Sequence, residues 1–162
     1  MAHGRWYPTL TNLGDGRVMT FSGQNETTAA TNNAVEIYTV GSGWSSQYVA
    51  SWTPPLYPRM HLLPNGKVFY SGPSTTSMLF DPNAHTWTTM DTTIYSGART
   101  YGSSILLPLT PDNDYDPQVI IMGGGNPATR TTEFIDLGAG SPIWKSGPNM
   151  SQARTEMNAV ML

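Results

Sequence analysis

Apolar and polar residues alternate in short runs along this chain, and the runs end at glycine, proline or an Asp/Asn-Gly pair. Segments 8–13, 18–22, 35–38, 59–63, 68–71, 77–80 and 132–135 read as strands. They are rich in Thr, Tyr, Val and Phe, side chains that pack well on a pleated surface. No stretch keeps apolar residues at helical spacing without an interrupting Gly, Pro or Thr cluster, so long helices have no place. The pattern predicts an all-β chain of many short strands.

A repeat organises those strands. Leu13-Gly14-Asp15-Gly16-Arg17-Val18 returns 50 residues later as Leu63-Pro64-Asn65-Gly66-Lys67-Val68. Asp-Gly and Asn-Gly are favoured at two-residue hairpin turns, where positive φ is needed. After the second strand comes glycine: Gly23, Gly72, then Gly123-Gly124-Gly125. A third strand and a turn follow, and then a tryptophan: Trp44, Trp87, Trp144. Arg5, Arg59, Arg99 and Arg154, spaced 54, 40 and 55 residues apart, are read as the residues that open successive units. These spacings suit propeller blades, which run about 40–50 residues. The fold predicted is therefore a partial β-propeller of about three four-stranded antiparallel blades, 5–56, 57–96 and 97–150, with an extra strand at 154–162. Tryptophan is expected to fill the wedge between neighbouring blades. In the third unit a longer polar loop, 107–117, replaces the tight hairpin.

Composition narrows the partners. Eight Lys and Arg are scattered singly in a chain of net charge −3, so no basic stripe addresses nucleic acid. No apolar run approaches the ~20 residues of a membrane helix, and residues 1–5 do not open a signal peptide. The chain has no cysteine, which removes disulfides, thiolate ligands and thiol nucleophiles. Asn25-Glu26-Thr27 and Asn149-Met150-Ser151 have the form of glycosylation sequons, a form that also arises by chance.

Three segments together resemble the kelch repeats of the galactose oxidase and glyoxal oxidase family, the glyoxal oxidase-like branch most of all. They are Arg5-Trp6-Tyr7-Pro8-Thr9 with its Asp15-Gly16-Arg17-Val18 turn, Tyr57-Pro58-Arg59-Met60-His61-Leu62-Leu63-Pro64-Asn65-Gly66-Lys67-Val68-Phe69, and Gly102-Ser103-Ser104-Ile105-Leu106-Leu107-Pro108-Leu109. The resemblance implies secreted copper radical oxidases that oxidise alcohols or aldehydes and make hydrogen peroxide. It implies copper held by two tyrosines and two histidines near the propeller axis, one tyrosine being cross-linked to a cysteine. Tyr7 matches the radical tyrosine position. The cysteine, the Tyr-His pair and the last histidine of the family have no counterpart here. The ring that stacks on the radical tyrosine would align near Asn25 and is absent at that position. Because the chain stops inside an expected strand, it is read as a fragment or a short gene product.

Other chemistry finds little support. His3, His61 and His85 are the only histidines, and none pairs at i, i+2 or i, i+4. Tyr7, His61 and Tyr101 are candidate channel-facing binding residues, and a packed histidine accounts for His61 without chemistry. Asp112, Asp114 and Asp116 begin like a calcium loop, but Pro117 and Gly123 stand where Gly and Glu are required. Gly123-Gly124-Gly125 lacks the Lys and the helix start of a phosphate cradle. Glu26, Glu36, Glu133 and Glu156 suggest no catalytic pair. No metal and no cofactor are expected for this chain itself.

Three readings remain. One is a partial propeller without oxidase activity of its own. Another is a binding module, for carbohydrate or protein, built on Trp6, Tyr48, Trp52, Tyr57, Tyr95 and Tyr101. The third is an enzyme completed by self-association, which the missing cysteine opposes. An arc of three blades exposes an apolar face at each end. Association into a homodimer that closes a ring is therefore expected.

Overall fold

The computed structural model describes residues 1–49 and 51–162. Among these residues there are thirteen strands, one short 3-10 turn and no α-helix. Strands β1 (Trp6–Asn12), β2 (Val18–Gln24), β3 (Ala34–Thr39) and β4 (Gly43–Trp44) form the first sheet in that order, and β5 (Tyr48–Val49) also pairs with β3. The second sheet runs β6 (Met60–Leu62), β7 (Val68–Tyr70), β8 (Thr76–Asp81), β9 (Thr86–Thr92). The third runs β10 (Ser103–Leu106), β11 (Gln118–Met122), β12 (Thr132–Asp136), β13 (Trp144–Ser146). The four-strand path of each sheet is a meander in which chain neighbours are hydrogen-bonded neighbours, the antiparallel blade that the repeat predicts; β5 lies off this path, beside β3.

The hairpin turns differ from the two-residue form. Gly16 N–H donates to Leu13 O at 3.0 Å and Leu13 N–H to Arg17 O at 2.8 Å; the second hairpin repeats this at 2.9 and 2.9 Å. Only Gly16 and Gly66 have positive φ in these turns, at 84° and 79°. This is a tight turn followed by a left-handed glycine that forms a bulge. Pro64 explains the choice, since its fixed negative φ suits the first central position of such a turn. Asp15 and Asn65 then receive the N–H of Arg17 and Lys67 at 3.1 and 3.0 Å.

Two compact units make up the chain. The first is Met1–Tyr70 with Leu79–Thr88, and the second is Ser71–Met78 with Thr89–Leu162. The first has a core of Leu13, Met19, Phe21, Val35, Ile37, Val68 and Phe80, against which Tyr48, Met60, Leu62 and Trp87 pack. Phe21 and Phe80 meet edge to face at 5.3 Å, and Trp87 lies 4.8 Å from Phe80 and 5.9 Å from Phe21. Trp87, on β9, therefore fills the space against Phe21 of the preceding sheet. In the second unit Trp144, 4% exposed on β13, donates from Nε1 to Ser77 Oγ at 3.1 Å, on β8 of the preceding sheet. Its backbone N–H donates to Asp91 Oδ2 at 2.7 Å. These two tryptophans take the wedge position. Trp44 does not: its ring lies at 5.3 Å from Tyr38, and both remain 36% exposed.

Each unit also holds a buried ion pair. Arg5 Nη2 lies 3.0 Å from Glu36 Oε2 on β3, with both side chains essentially inaccessible. Arg5 further donates to Ser22 O and Ala34 O at 2.9 and 2.8 Å. Arg99 Nη2 lies 2.6 Å from Glu133 Oε1 on β12, and Arg99 also donates to Gly123 O and Thr131 O. This corrects the arginine series. Arg59 directly precedes β6 and follows Tyr57, whereas Arg5 and Arg99 stand two residues before Tyr7 and Tyr101. Arg154 is exposed.

The expected strand at 154–162 is not formed. A strand requires a partner edge along its length. Here the backbone bonds go elsewhere: Arg154 O accepts from Gly124 N–H at 2.7 Å, Arg154 N–H donates to Thr129 O at 3.2 Å, and Met157 N–H donates to Tyr101 O at 3.4 Å. Gly124 has φ +77°, and a Cβ there would meet Arg99 O and Gly102 N at 2.7 Å, so only glycine allows this approach. The polar loop 107–117 carries the 3-10 turn Pro111–Asn113.

Candidate functional site

Tyr7, Tyr57 and Tyr101 each stand six residues before the leucine whose N–H closes the first hairpin of its sheet, Leu13, Leu63 and Leu107. All three have positive φ, at 62°, 52° and 54°, a conformation uncommon for non-glycine residues. The sequence marks Tyr7 and Tyr101 as channel-facing candidates and Tyr57 only as an exposed aromatic.

In the first unit these rings build a column. Tyr7 stacks on Trp6 at 3.6 Å and on Tyr57 at 4.2 Å, with interplanar angles of 19° and 27°. Tyr57 N–H donates to Tyr7 O at 3.2 Å and Thr9 Oγ1 to Pro58 O at 2.7 Å, fixing the two chain entries beside one another. Trp6 and Tyr57 are 54% and 45% exposed, so the column has open outer rings around a more sheltered Tyr7. Tyr7 thus stacks on Trp6 and Tyr57, not on residue 25. Asn25 itself caps a turn, its Oδ1 accepting from Thr27 N–H, Thr28 N–H and Thr28 Oγ1. In the second unit Tyr101 stands 53% exposed.

The other candidate aromatics separate into packed and open groups. Trp52 packs edge-on against Tyr70 and Trp87 at 4.9 and 4.8 Å. Tyr48 lies flat on His85 at 3.6 Å, and burial raises its phenol pKa above the ordinary range. Tyr95 lies beneath the Arg99 guanidinium at 4.9 Å.

His61 sits on β6, paired across the hairpin with Phe69. Burial, aided by the Arg59 charge, lowers its pKa to about 4. An ordinary histidine titrates near 6.5, so between these values the unfolded chain binds a proton that the folded chain refuses. The folded pKa is depressed below the unfolded one. The stability this neutral histidine confers is therefore present above pH 6.5 and is lost as pH falls toward 4. We expect stability to drop by up to about 3 kcal/mol across that window, at about 1.36 kcal/mol per pH unit. His61→Gln flattens this part of the profile in urea titrations at pH 4.5 and 7.

The carboxylates are structural. Burial would raise the Glu36 pKa, but the Ala2 N–H and the Arg5 guanidinium outweigh it and hold the group below its ordinary range. Glu26 pairs with His3 at 3.2 Å and accepts from Gly4 N–H. Among the described residues no three His, Cys, Asp or Glu side chains come together to hold a metal. The three histidines are engaged in different surroundings: His3 on Glu26, His61 in β6, His85 on Tyr48. The two-histidine set implied for copper is not brought together among the described residues.

Antiparallel four-strand meanders, with a tryptophan wedge in the second and third and a positive-φ glycine at or just past the end of the second strand, define kelch-type propeller blades. The solved structure of YjhT shares this fold, with a TM-score of 0.73 at 12% identity over 94% of this chain and 54% of that one. Residues 1–139 match the family model for the glyoxal oxidase N-terminus, and the chain belongs to that family. It is 32% identical over 131 residues to aldehyde oxidase GLOX of Vitis pseudoreticulata, a match that covers 75% of this chain and 23% of that protein. The chain thus spans about a quarter of that curated relative.

Proposed function

We propose that this chain is a segment of a glyoxal oxidase-like propeller that has no oxidase activity by itself and associates with a second copy to cover its open sheet. The observation that carries this is Trp44. The tryptophans at the same step of the other two sheets are covered by the preceding sheet, Trp87 by Phe21 and Trp144 by Ser77. Among the described residues Trp44 and Tyr38 have no such cover, and Val40, just past β3, is 83% exposed. A sheet-to-sheet contact used twice within the chain continues on this face, and a further sheet of the same chemistry fits it. A second copy of the chain supplies one. The interface is an exposed aromatic pair of the kind that carries binding energy in protein contacts.

Light scattering over a range of concentrations tests the proposal. The expected mass is twice that of the chain, and Trp44→Arg weakens association by about 2 kcal/mol or more, roughly thirtyfold in Kd. Copper(II) and an aldehyde added to the dimer yield no hydrogen peroxide. Peroxide production at a rate proportional to protein would overturn the non-catalytic part of the reading. A monomer at all concentrations would overturn the association.

A second reading rests on the aromatic column. Tyr7 matches the family's radical tyrosine and is sheltered between Trp6 and Tyr57, and the relative is an aldehyde oxidase. In a longer protein carrying the missing thiol and histidines, this segment supplies the tyrosine and its stacking partners.

A further inference from the structure

We propose that Asn149 is an N-glycosylation site, independent of the association described above. The segment Asn149-Met150-Ser151 has the acceptor form, an asparagine with a hydroxyl residue two positions on. Two such segments occur in the chain, and the structure separates them.

Asn149 lies in the irregular segment after β13. Both it and Ser151 are exposed. Among the described residues neither side chain has a hydrogen-bond partner, so the amide Nδ2 is not committed to the fold. The flanking backbone is fixed nonetheless. Gly147 N–H donates to Thr132 O at 2.9 Å, Thr132 Oγ1 donates to Pro148 O at 2.8 Å, and Met150 N–H donates to Arg130 O at 2.9 Å. The loop is held on both sides while the asparagine side chain points free of it.

There is also room for a first sugar. Asn149 stands on the edge of an open cleft of about 250 Å³, lined further by Tyr95, Thr131, Thr132 and Ser146. A sugar ring there meets the half-buried Tyr95 ring and the Ser146 hydroxyl; Thr131 Oγ1 and Thr132 Oγ1 are already bonded to Arg99 and Pro148. Glu133, which also lines the cleft, is already engaged by Arg99 and by the Ile94 and Tyr95 N–H groups, so it does not demand a ligand of its own.

Asn25 contrasts on each point. It is half-buried, its Oδ1 holds a turn through three hydrogen bonds, and its neighbour Glu26 presents a carboxylate bonded to His3 and Gly4. A glycan there would stand against a formed capping turn.

The chemistry is a substitution. Asn149 Nδ2 attacks the anomeric carbon of a lipid-diphosphate-linked oligosaccharide. The N–C bond forms, the bond to the diphosphate breaks, and the amide gives up one proton while the diphosphate carrier leaves. The donor is a secretory-lumen reagent, so the test supplies that lumen. The chain is translated behind a cleavable leader with endoplasmic reticulum microsomes, and its gel mobility is read before and after endoglycosidase treatment.

We expect one endoglycosidase-sensitive shift in the wild type and in Asn25→Gln. Ser151→Thr keeps the shift, and Ser151→Ala and Asn149→Gln remove it. No shift in the translocated wild type, or a shift that survives Ser151→Ala and disappears in Asn25→Gln, would overturn the proposal.

Discussion

Arg99→Ala is expected to destabilise the protein by about 3–5 kcal/mol, the range found when one partner of a buried ion pair is removed. Arg99 and Glu133 are 3% and 2% exposed, with 2.6 Å between Nη2 and Oε1. Without the guanidinium, the Glu133 carboxylate would remain buried with only two N–H donors, from Ile94 and Tyr95. Gly123 O and both acceptors of Thr131 would also lose donors. Glu133→Gln keeps an acceptor oxygen and removes the charge, so a smaller loss is expected, about 1–3 kcal/mol. Urea denaturation followed by tryptophan fluorescence measures both. Equal, small losses for the two variants would mean that the pair contributes little beyond packing.

Phe80→Ala carries the second large effect, about 3–5 kcal/mol. Phe80 is fully buried and lies against Phe21 and Trp87. The substitution opens a cavity under Trp87, the residue that wedges β9 against the first sheet. Relaxation is limited because Met19 and Val68, in the same core, are also fully buried. Near-ultraviolet circular dichroism should weaken together with stability as Trp87 loses its fixed surroundings. An unchanged aromatic spectrum, with a loss under 1 kcal/mol, would show that the core refills and that Phe80 is not its anchor.

Most of the architecture was legible because it lies in periodicity. The Asp15-Gly16 and Asn65-Gly66 turns, the glycines after the second strands and the tryptophans after the third mark each sheet in order. The turn class was less legible, since an Asx-Gly pair serves both the two-residue turn and the bulged form. Pro64 was the discriminating residue. The segment 154–162 misled because strand-like composition does not supply a partner edge, and its carbonyl and N–H groups found Gly124, Thr129 and Tyr101 instead.

The candidate site was legible only at Tyr7 and Tyr101. Tyr57 joins the column through a left-handed backbone conformation that no residue type announces, and Trp6 stacks on its own neighbour in sequence. The Arg5–Glu36 and Arg99–Glu133 pairs bring together residues 31 and 34 positions apart. Spacing along the chain does not show such contacts. The Arg-x-Tyr steps at Arg5 and Arg99, which Arg59 lacks, are the signal the chain carries for them.

The central claim is that Trp44 marks a face meant to be covered by another copy of this chain. Mass in solution tests it most directly, measured by light scattering from low to high concentration for the wild type and for Trp44→Arg. The account predicts a dimer for the wild type and a folded monomer for Trp44→Arg over the same range. A wild type that remains monomeric throughout, with Trp44 as accessible to a fluorescence quencher at high concentration as at low, would contradict it.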